Sequence, residues 1–463
     1  MIPVHDPANG SIVGEAPAMT RAEVTAAIDR TCAAFPAWSR RLARERGDLL
    51  RAWFESVRAD KRSFAEIMVR ENGKCLFEAM GEIEYGLGFI EWYAEEAKRV
   101  YGDTIPTHAE GAAIMVVKQP VGPTAAITPW NFPFMMICRK IATALAAGCT
   151  MIIKPSEETP LTAYRLLDHA RRAGIPEGVF EMVTGDPAEI GELFTGDDRI
   201  RKISFTGSTA VGKRLAAASG ATLKKMTLEL GGNAPFIVFD DADLDQAVAG
   251  AVAAKLRNSG QVCISPNRFY VHDAIHDRFV EALAERVGRI EVGNGMREEF
   301  VVGPLINRGG LDKVAALVDD ARTRGARVVC GGEPHALGGL FYAPTILSGL
   351  DDEARMMRTE IFGPVFAVYR FSSEDEVVRR ANDTEYGLVA YAWTRDLGCA
   401  FRMSQRLDAG MVILNSGSVG TASVPFGGVK HSGYGREGSH YGIEEYVEVK
   451  YVLMAGLDRP AHG

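Results

Sequence analysis

The spacing of apolar positions changes character once along the chain. Over the first hundred residues it is helical. Thr20 and Glu23 form a capping-box pair ahead of Val24, Ala27, Ile28 and Thr31, which share one face and predict a helix starting near Arg21. Leu42, Leu49, Leu50, Trp53, Phe54 and Val57 predict a second amphipathic helix, and 83–100, rich in aromatics and charges, a third. From about residue 112, short β-prone runs alternate with mixed or Ala-rich stretches. Runs at 125–128, 150–153, 179–183, 202–205 and 224–228 predict strands, the first four each followed by a turn and a helix. That alternation implies a parallel sheet. A second series opens at 234–239, with helices near 244–258 and 276–289 and strands around 327–329 and 365–369. The pattern therefore predicts an α/β chain, with a helical layer and two α/β domains meeting near Gly231 and Gly232.

Composition narrows the function classes. The 463 residues are 47% hydrophobic and 24% charged, with a net charge of −8 and no block of like charge, so no electrostatic footprint for nucleic acid is present. Apolar runs break at Gly or charge well short of the roughly 20 residues of a membrane span. Residues 1–7 lack the basic head and apolar core of a secretory signal, and a cytoplasmic location is expected. The seven cysteines are scattered without CxxC pairs, which argues against a disulfide framework and a zinc site and leaves room for one reactive thiol. No metal is expected.

Chemistry gathers at the predicted strand ends, where ligands bind in open parallel sheets. Pro129-Trp130-Asn131-Phe132-Pro133 is a stiffened turn presenting an amide. Lys154-Pro155-Ser156-Glu157 sets a cation and a carboxylate three residues apart, and Gly207-Ser208 opens a helix whose free N–H groups suit a phosphate. Together they read as a dinucleotide site, although the GxGxxG fingerprint is absent. Individually, Gly207-Ser208 is also an ordinary helix cap and Lys154 with Glu157 an ordinary surface pair. Glu229 sits between Leu228 and Leu230, where burial would raise its pKa as a general base requires, and Cys263 follows in a small polar loop. Cys263 is either a nucleophile or one more buried small residue.

These motifs, with Glu360-Ile361-Phe362-Gly363-Pro364-Val365, Pro425-Phe426-Gly427-Gly428 and Ser432-Gly433-Tyr434-Gly435-Arg436-Glu437, run in order over nearly the whole chain. The series resembles the aldehyde dehydrogenase superfamily. The resemblance implies two Rossmann-like α/β domains plus a small β oligomerisation flap: an NAD(P)-binding domain over 1–101 and 121–231, a catalytic domain over 232–431, and a flap from 102–120 and 440–457 that builds a homodimer or homotetramer. It makes Cys263 the nucleophile, Glu229 the base for the deacylating water, Asn131 the oxyanion donor, and Glu437 a relay for protons from the base. Trp130, Lys154, Ser156, Glu157, Gly207, Ser208 and Glu360 would hold the cofactor, NAD in preference with NADP accepted.

Glu71-Asn72-Gly73-Lys74, the stretch 91–99, Tyr101-Gly102-Asp103-Thr104-Ile105-Pro106 and Tyr441-Gly442-Ile443-Glu444-Glu445-Tyr446 look like succinate-semialdehyde dehydrogenases within that superfamily. Arg139 and Arg257 match the arginines that hold the substrate carboxylate there, which implies succinic semialdehyde or a related ω-carboxy aldehyde. The alternative is another aliphatic or aromatic aldehyde. The serine expected five residues before Pro425 is replaced by Gly420, and 416–423 lacks the usual acidic residue. A CoA-acylating enzyme is disfavoured by Glu229, a base that branch dispenses with. A non-catalytic structural relative is disfavoured by the joint presence of Cys263, Glu229, Asn131 and Glu360.

Overall fold

Strands Thr124–Ile127, Met151–Lys154, Phe180–Met182, Lys202–Thr206 and Lys225–Glu229 form the parallel part of a six-stranded sheet in the computed structural model, which describes residues 1–297 and 299–457. The chain enters at Thr124–Ile127, winds outward through Met151–Lys154 to Phe180–Met182, then returns to the other side of its first strand with Lys202–Thr206 and Lys225–Glu229. The strand order reverses beside Thr124–Ile127, so the loops after that strand and after Lys202–Thr206 diverge and leave a crevice. Gly433–Tyr434 closes the edge antiparallel to Lys225–Glu229. The intervening helices are Met135–Ala147, Pro160–Arg172, Pro187–Gly196 and Thr209–Ser219. Every residue of Met151–Lys154 and Lys202–Thr206 is buried, as expected for strands covered on both faces. Helix Met135–Ala147 is also buried throughout, packed against Leu76–Glu96 of the N-terminal helical layer.

The chain leaves the first sheet at Glu229 and enters the second at Ala234, so Leu230–Asn233 is the crossing. The second sheet has seven strands in the order Arg327–Cys330, Thr345–Ser348, Val365–Phe371, Pro266–His272, Ala234–Val238, Val389–Trp393 and Met411–Leu414. All pairings are parallel except that of the Arg327–Cys330 edge. A separate antiparallel sheet joins Val447–Ala455, Ala112–Pro120 and Asp103–Ile105. No helix among the described residues is long and apolar enough to cross a membrane.

The capping box forms as expected, with the Glu23 N–H donating to Thr20 Oγ1 at 3.4 Å and the Thr20 N–H to Glu23 Oε2 at 2.7 Å ahead of helix Arg21–Ser39. The five predicted strands of the first sheet fall within two residues of the observed ones. The third helix starts earlier than expected, at Leu76, and ends at Glu96. Helix Lys61–Asn72 and the strands Ile2–His5, Ile12–Ala16, Pro266–His272, Thr345–Ser348, Val389–Trp393 and Met411–Leu414 were not predicted.

Candidate active site

The crevice above the first sheet opens into a cavity of about 360 Å³ walled by Trp130, Gly207, Ser208, Glu229, Cys263 and Glu360, among others. Ser208 caps helix Thr209–Ser219 by accepting from the Val211 N–H, which leaves other first-turn N–H groups directed at the cavity end of the helix. Thr206 Oγ1, on the same wall, is buried and has no partner among the described residues. Glu360 Oε1 accepts from the Gly232 N–H at 2.9 Å, and burial pushes its carboxyl pKa up. The Trp130 ring meets Phe362 edge-on, with centroids 5.7 Å apart. A helix N-terminus, an orphan hydroxyl, a carboxylate and aromatic walls fit a dinucleotide. Lys154, Ser156 and Glu157 lie one strand further along the sheet, outside this wall; Lys154 Nζ is 2.5 Å from Glu157 Oε2, and the Glu157 side chain is 44% exposed. Ser156 Oγ accepts from the Glu158 N–H.

Glu229 and Cys263, 34 residues apart in sequence, meet because the Leu230–Asn233 crossing presses against the Cys263 loop. A Cβ on Gly232 would collide with the Cys263 carbonyl oxygen, so only glycine permits this approach. Both Glu229 oxygens are buried without a hydrogen bond among the described residues. Desolvation, then the Glu437 charge, raises the Glu229 pKa well above the ordinary carboxyl value. Cys263 is half-buried, and its thiol is pushed up to about 12, first by desolvation and then by the Glu360 and Glu229 carboxylates. Asn131 Nδ2 spends one hydrogen on the Gln261 carbonyl at 3.0 Å, inside the Cys263 loop, and keeps the second.

Arg139 and Glu437 are brought together rather than apart. Arg139 Nε lies 2.6 Å from Glu437 Oε2, and Lys140 Nζ lies 2.5 Å from Glu437 Oε1, all three side chains being buried. Ser204 Oγ also donates to Glu437. The two cations hold the Glu437 carboxyl well below the ordinary range, against the desolvation of its site. These cations favour Glu437 as the anion, and its negative charge bears on Glu229. Arg139 is correspondingly shared. Its Nε faces Glu437, while Nη1 is buried and unpartnered.

Arg257 lies elsewhere. It lines a second cavity of about 710 Å³ with Glu78, Tyr85, Val252, Phe300 and Gly420, and its guanidinium stacks 4.8 Å over the Phe132 ring. It makes no ion pair or hydrogen bond among the described residues.

The aldehyde dehydrogenase family model matches residues 1–452, nearly the entire chain. The chain belongs to this family. It is 50% identical to the glutarate-semialdehyde dehydrogenase of Pseudomonas aeruginosa over 456 residues, covering 98% of this chain and 94% of that one. It is equally 50% identical to the NADP(+) succinate-semialdehyde dehydrogenase of Escherichia coli, with the same coverage. Among solved structures, succinate-semialdehyde dehydrogenase from Burkholderia pseudomallei superposes with a TM-score of 0.97 at 51% identity, covering 98% of this chain and 94% of that one.

In this aldehyde dehydrogenase the turn bearing Asn131 is held by residues to which no site role was given. Lys74 Nζ, buried, pairs with Glu82 Oε2 at 2.5 Å, donates to the Asn131 carbonyl at 2.8 Å and sits 4.2 Å over the Phe132 ring. Glu82 Oε1 accepts from the Phe134 and Met135 N–H groups, and Asn72 Nδ2 donates to the Trp130 carbonyl. Asn258 Nδ2 reaches the Asn131 carbonyl from the other side, with Asn258 itself in a left-handed conformation at φ 48°. The 71–74 stretch was the only sequence signal for this clamp. Lys140 and Lys313 were likewise not singled out; Lys313 lines the first cavity, where its charge favours the ionised form of Glu360.

Proposed function

We propose that this aldehyde dehydrogenase oxidises ω-carboxy aldehydes, succinic semialdehyde foremost, to the corresponding acids with NAD(P). The observation that carries the substrate reading is Arg257, a guanidinium that makes no ion pair or hydrogen bond among the described residues and lines a second cavity beside the dinucleotide crevice. A desolvated guanidinium gains about 1.5–3 kcal/mol per hydrogen bond to a carboxylate. The unpartnered Nη1 of Arg139 supports a second contact, and the relatives named for succinate and glutarate semialdehydes support the same class.

In this reading the Cys263 sulfur adds to the aldehyde carbon, and the second Asn131 Nδ2 hydrogen stabilises the alkoxide that forms. A dinucleotide held in the crevice would supply the hydride acceptor, and hydride loss leaves a thioester on Cys263. Glu229 then takes a proton from water, whose oxygen attacks the thioester and releases the acid. The thiol proton passes to solvent water as the sulfur adds, which leaves the Glu229 carboxylate for the second step. The cofactor domain over 1–101 and 121–231, the catalytic domain over 232–431 and the flap from 102–120 and 440–457 divide these tasks. Exposed Val449, Tyr451 and Leu453 on the edge strand Val447–Ala455 support assembly into a homodimer or homotetramer.

Kinetics on succinic semialdehyde, glutaric semialdehyde, butanal and benzaldehyde test the substrate reading. Succinic semialdehyde is expected to surpass butanal in kcat/KM, and Arg257→Ala to remove about tenfold or more of that advantage. Butanal winning in the wild type, or an unchanged ranking in the variant, overturns it.

NAD is the preferred cofactor in this proposal. The exposed Glu157 carboxylate accepts from a ribose 2′-hydroxyl and repels a 2′-phosphate, and Lys154 is already paired with it. Preference rather than exclusion follows, because Lys154 offsets part of the repulsion. Glu157→Ser should raise kcat/KM with NADP relative to NAD; a wild type more efficient with NADP contradicts the assignment.

A further inference from the structure

The second cavity contains a hydroxyl without a hydrogen-bond partner among the described residues. Tyr85, on helix Leu76–Glu96, lines it opposite the 417–420 loop, and its ring packs on Phe89 with centroids 5.1 Å apart, which fixes the ring's direction. Its hydroxyl makes no hydrogen bond among the described residues. Gly420 is at φ +94°, and a Cβ there would stand 2.8 Å from Tyr85 Oη. The phenol therefore occupies the space that a side chain at position 420 would otherwise fill.

We propose that Tyr85 is a specificity-determining residue, donating a hydrogen bond from its hydroxyl to the carboxylate end of the substrate beside Arg257. This rests on the ω-carboxy aldehyde reading and adds the third polar contact to it. Three observations support it. Tyr85 and Arg257 share one cavity wall, and Arg257 makes no ion pair there among the described residues. Burial, opposed by the charges of Arg139 and Arg257, pushes the Tyr85 pKa up, which keeps the phenol a donor. The carboxylates on the wall are engaged: Glu78 Oε1 accepts from the Asn258 N–H at 2.7 Å, Glu82 pairs with Lys74 and Glu84 with Lys61, while burial raises the Glu78 pKa against the charge of Arg257. Gly420 is then not a lost contact but the space that admits the phenol.

The test compares kcat/KM on succinic semialdehyde with kcat/KM on butanal, which lacks the carboxylate. Tyr85→Phe keeps the ring and removes only the hydroxyl. The ratio should fall about tenfold or more, through KM for the semialdehyde. Adding Gly420→Ser to Tyr85→Phe puts a hydroxyl into the vacated space and should recover part of the ratio, whereas Gly420→Ser alone, forced against the phenol, should lower it. A ratio in Tyr85→Phe within twofold of the wild type overturns the assignment of Tyr85, as does an equal loss on both substrates. A wild type without preference for the semialdehyde overturns the ω-carboxy reading itself, so the two failures are told apart by the unmutated enzyme.

Discussion

Cys263→Ala is expected to abolish aldehyde oxidation while dinucleotide binding survives. The sulfur is the single polarisable nucleophile beside Glu229 and Asn131, and a methyl in its place leaves nothing to attack the aldehyde carbon. The phosphate end of the crevice, at Ser208 and the first turn of helix Thr209–Ser219, is built from a different strand end and does not touch the mutated atom. The loss should exceed the roughly 10²–10³-fold that removal of one oxyanion donor produces, because the covalent route disappears rather than weakens. Cys263→Ser should fare little better. A hydroxyl is a still weaker acid than the thiol, and burial with two neighbouring carboxylates already opposes ionisation at this position. NADH production at 340 nm, with dinucleotide binding followed by calorimetry, checks both halves; retained turnover in either variant removes Cys263 from the mechanism.

The parts of the fold that were legible in sequence are those where one signal acts alone. Residues 124–229 alternate short, largely buried strands with helices, and each strand ends in a turn of Pro, Gly or Ser that punctuates the pattern. The unpredicted strand Pro266–His272 carries Asn267 and Arg268, which hide a strand in the core of the second sheet. Both are satisfied internally, Arg268 by the carbonyls of Asn233, Arg380 and Ala381 and Asn267 by Asn233 and the Thr359 carbonyl. Val389–Trp393 is a continuous apolar run that periodicity does not separate from a buried helix. Helix Lys61–Asn72 has its apolar residues on one face but follows Arg58 and Ala59 with no break in polarity to mark a new element.

The site divides the same way. Cys263, Glu229, Asn131 and Glu360 were legible because each stands in a short motif at an element end. The groups that position them were not, because their partners are distant in sequence. Lys74 acts on Asn131 across 57 residues and Lys140 on Glu437 across 297. Tyr85 has no motif at all; its meaning depends on a glycine at 420, which from sequence alone reads as a deletion of function. The direction of the Glu229 shift was legible from its apolar neighbours Leu228 and Leu230, whereas that of Glu437 was not. Burial pushes Glu229 up, while Arg139 and Lys140, distant in sequence, hold Glu437 down.

That contrast gives Glu229→Gln two expected results. A base must be ionised to accept a proton from water, so wild-type steady turnover should rise as pH increases through the raised pKa of Glu229, and the variant should lose this limb. Acylation depends chiefly on Cys263 and Asn131, so the variant should still give a pre-steady-state burst of NADH near the active-site concentration, followed by steady turnover lower by about 10²-fold or more. Equal loss of burst and turnover would assign Glu229 to the first step instead. Stability carries an independent check. The folded-state pKa lies above the unfolded value, so the folded protein is favoured with Glu229 protonated, and that contribution is lost as pH rises from the ordinary carboxyl range through the raised pKa. Glutamine does not titrate. The melting temperature of the variant relative to wild type should therefore increase between pH 5 and pH 8, the buried anion without hydrogen bonds being the form that destabilises the wild type. A difference constant with pH would mean that Glu229 meets a cation or a donor in the folded enzyme, and the base assignment would lose its physical ground.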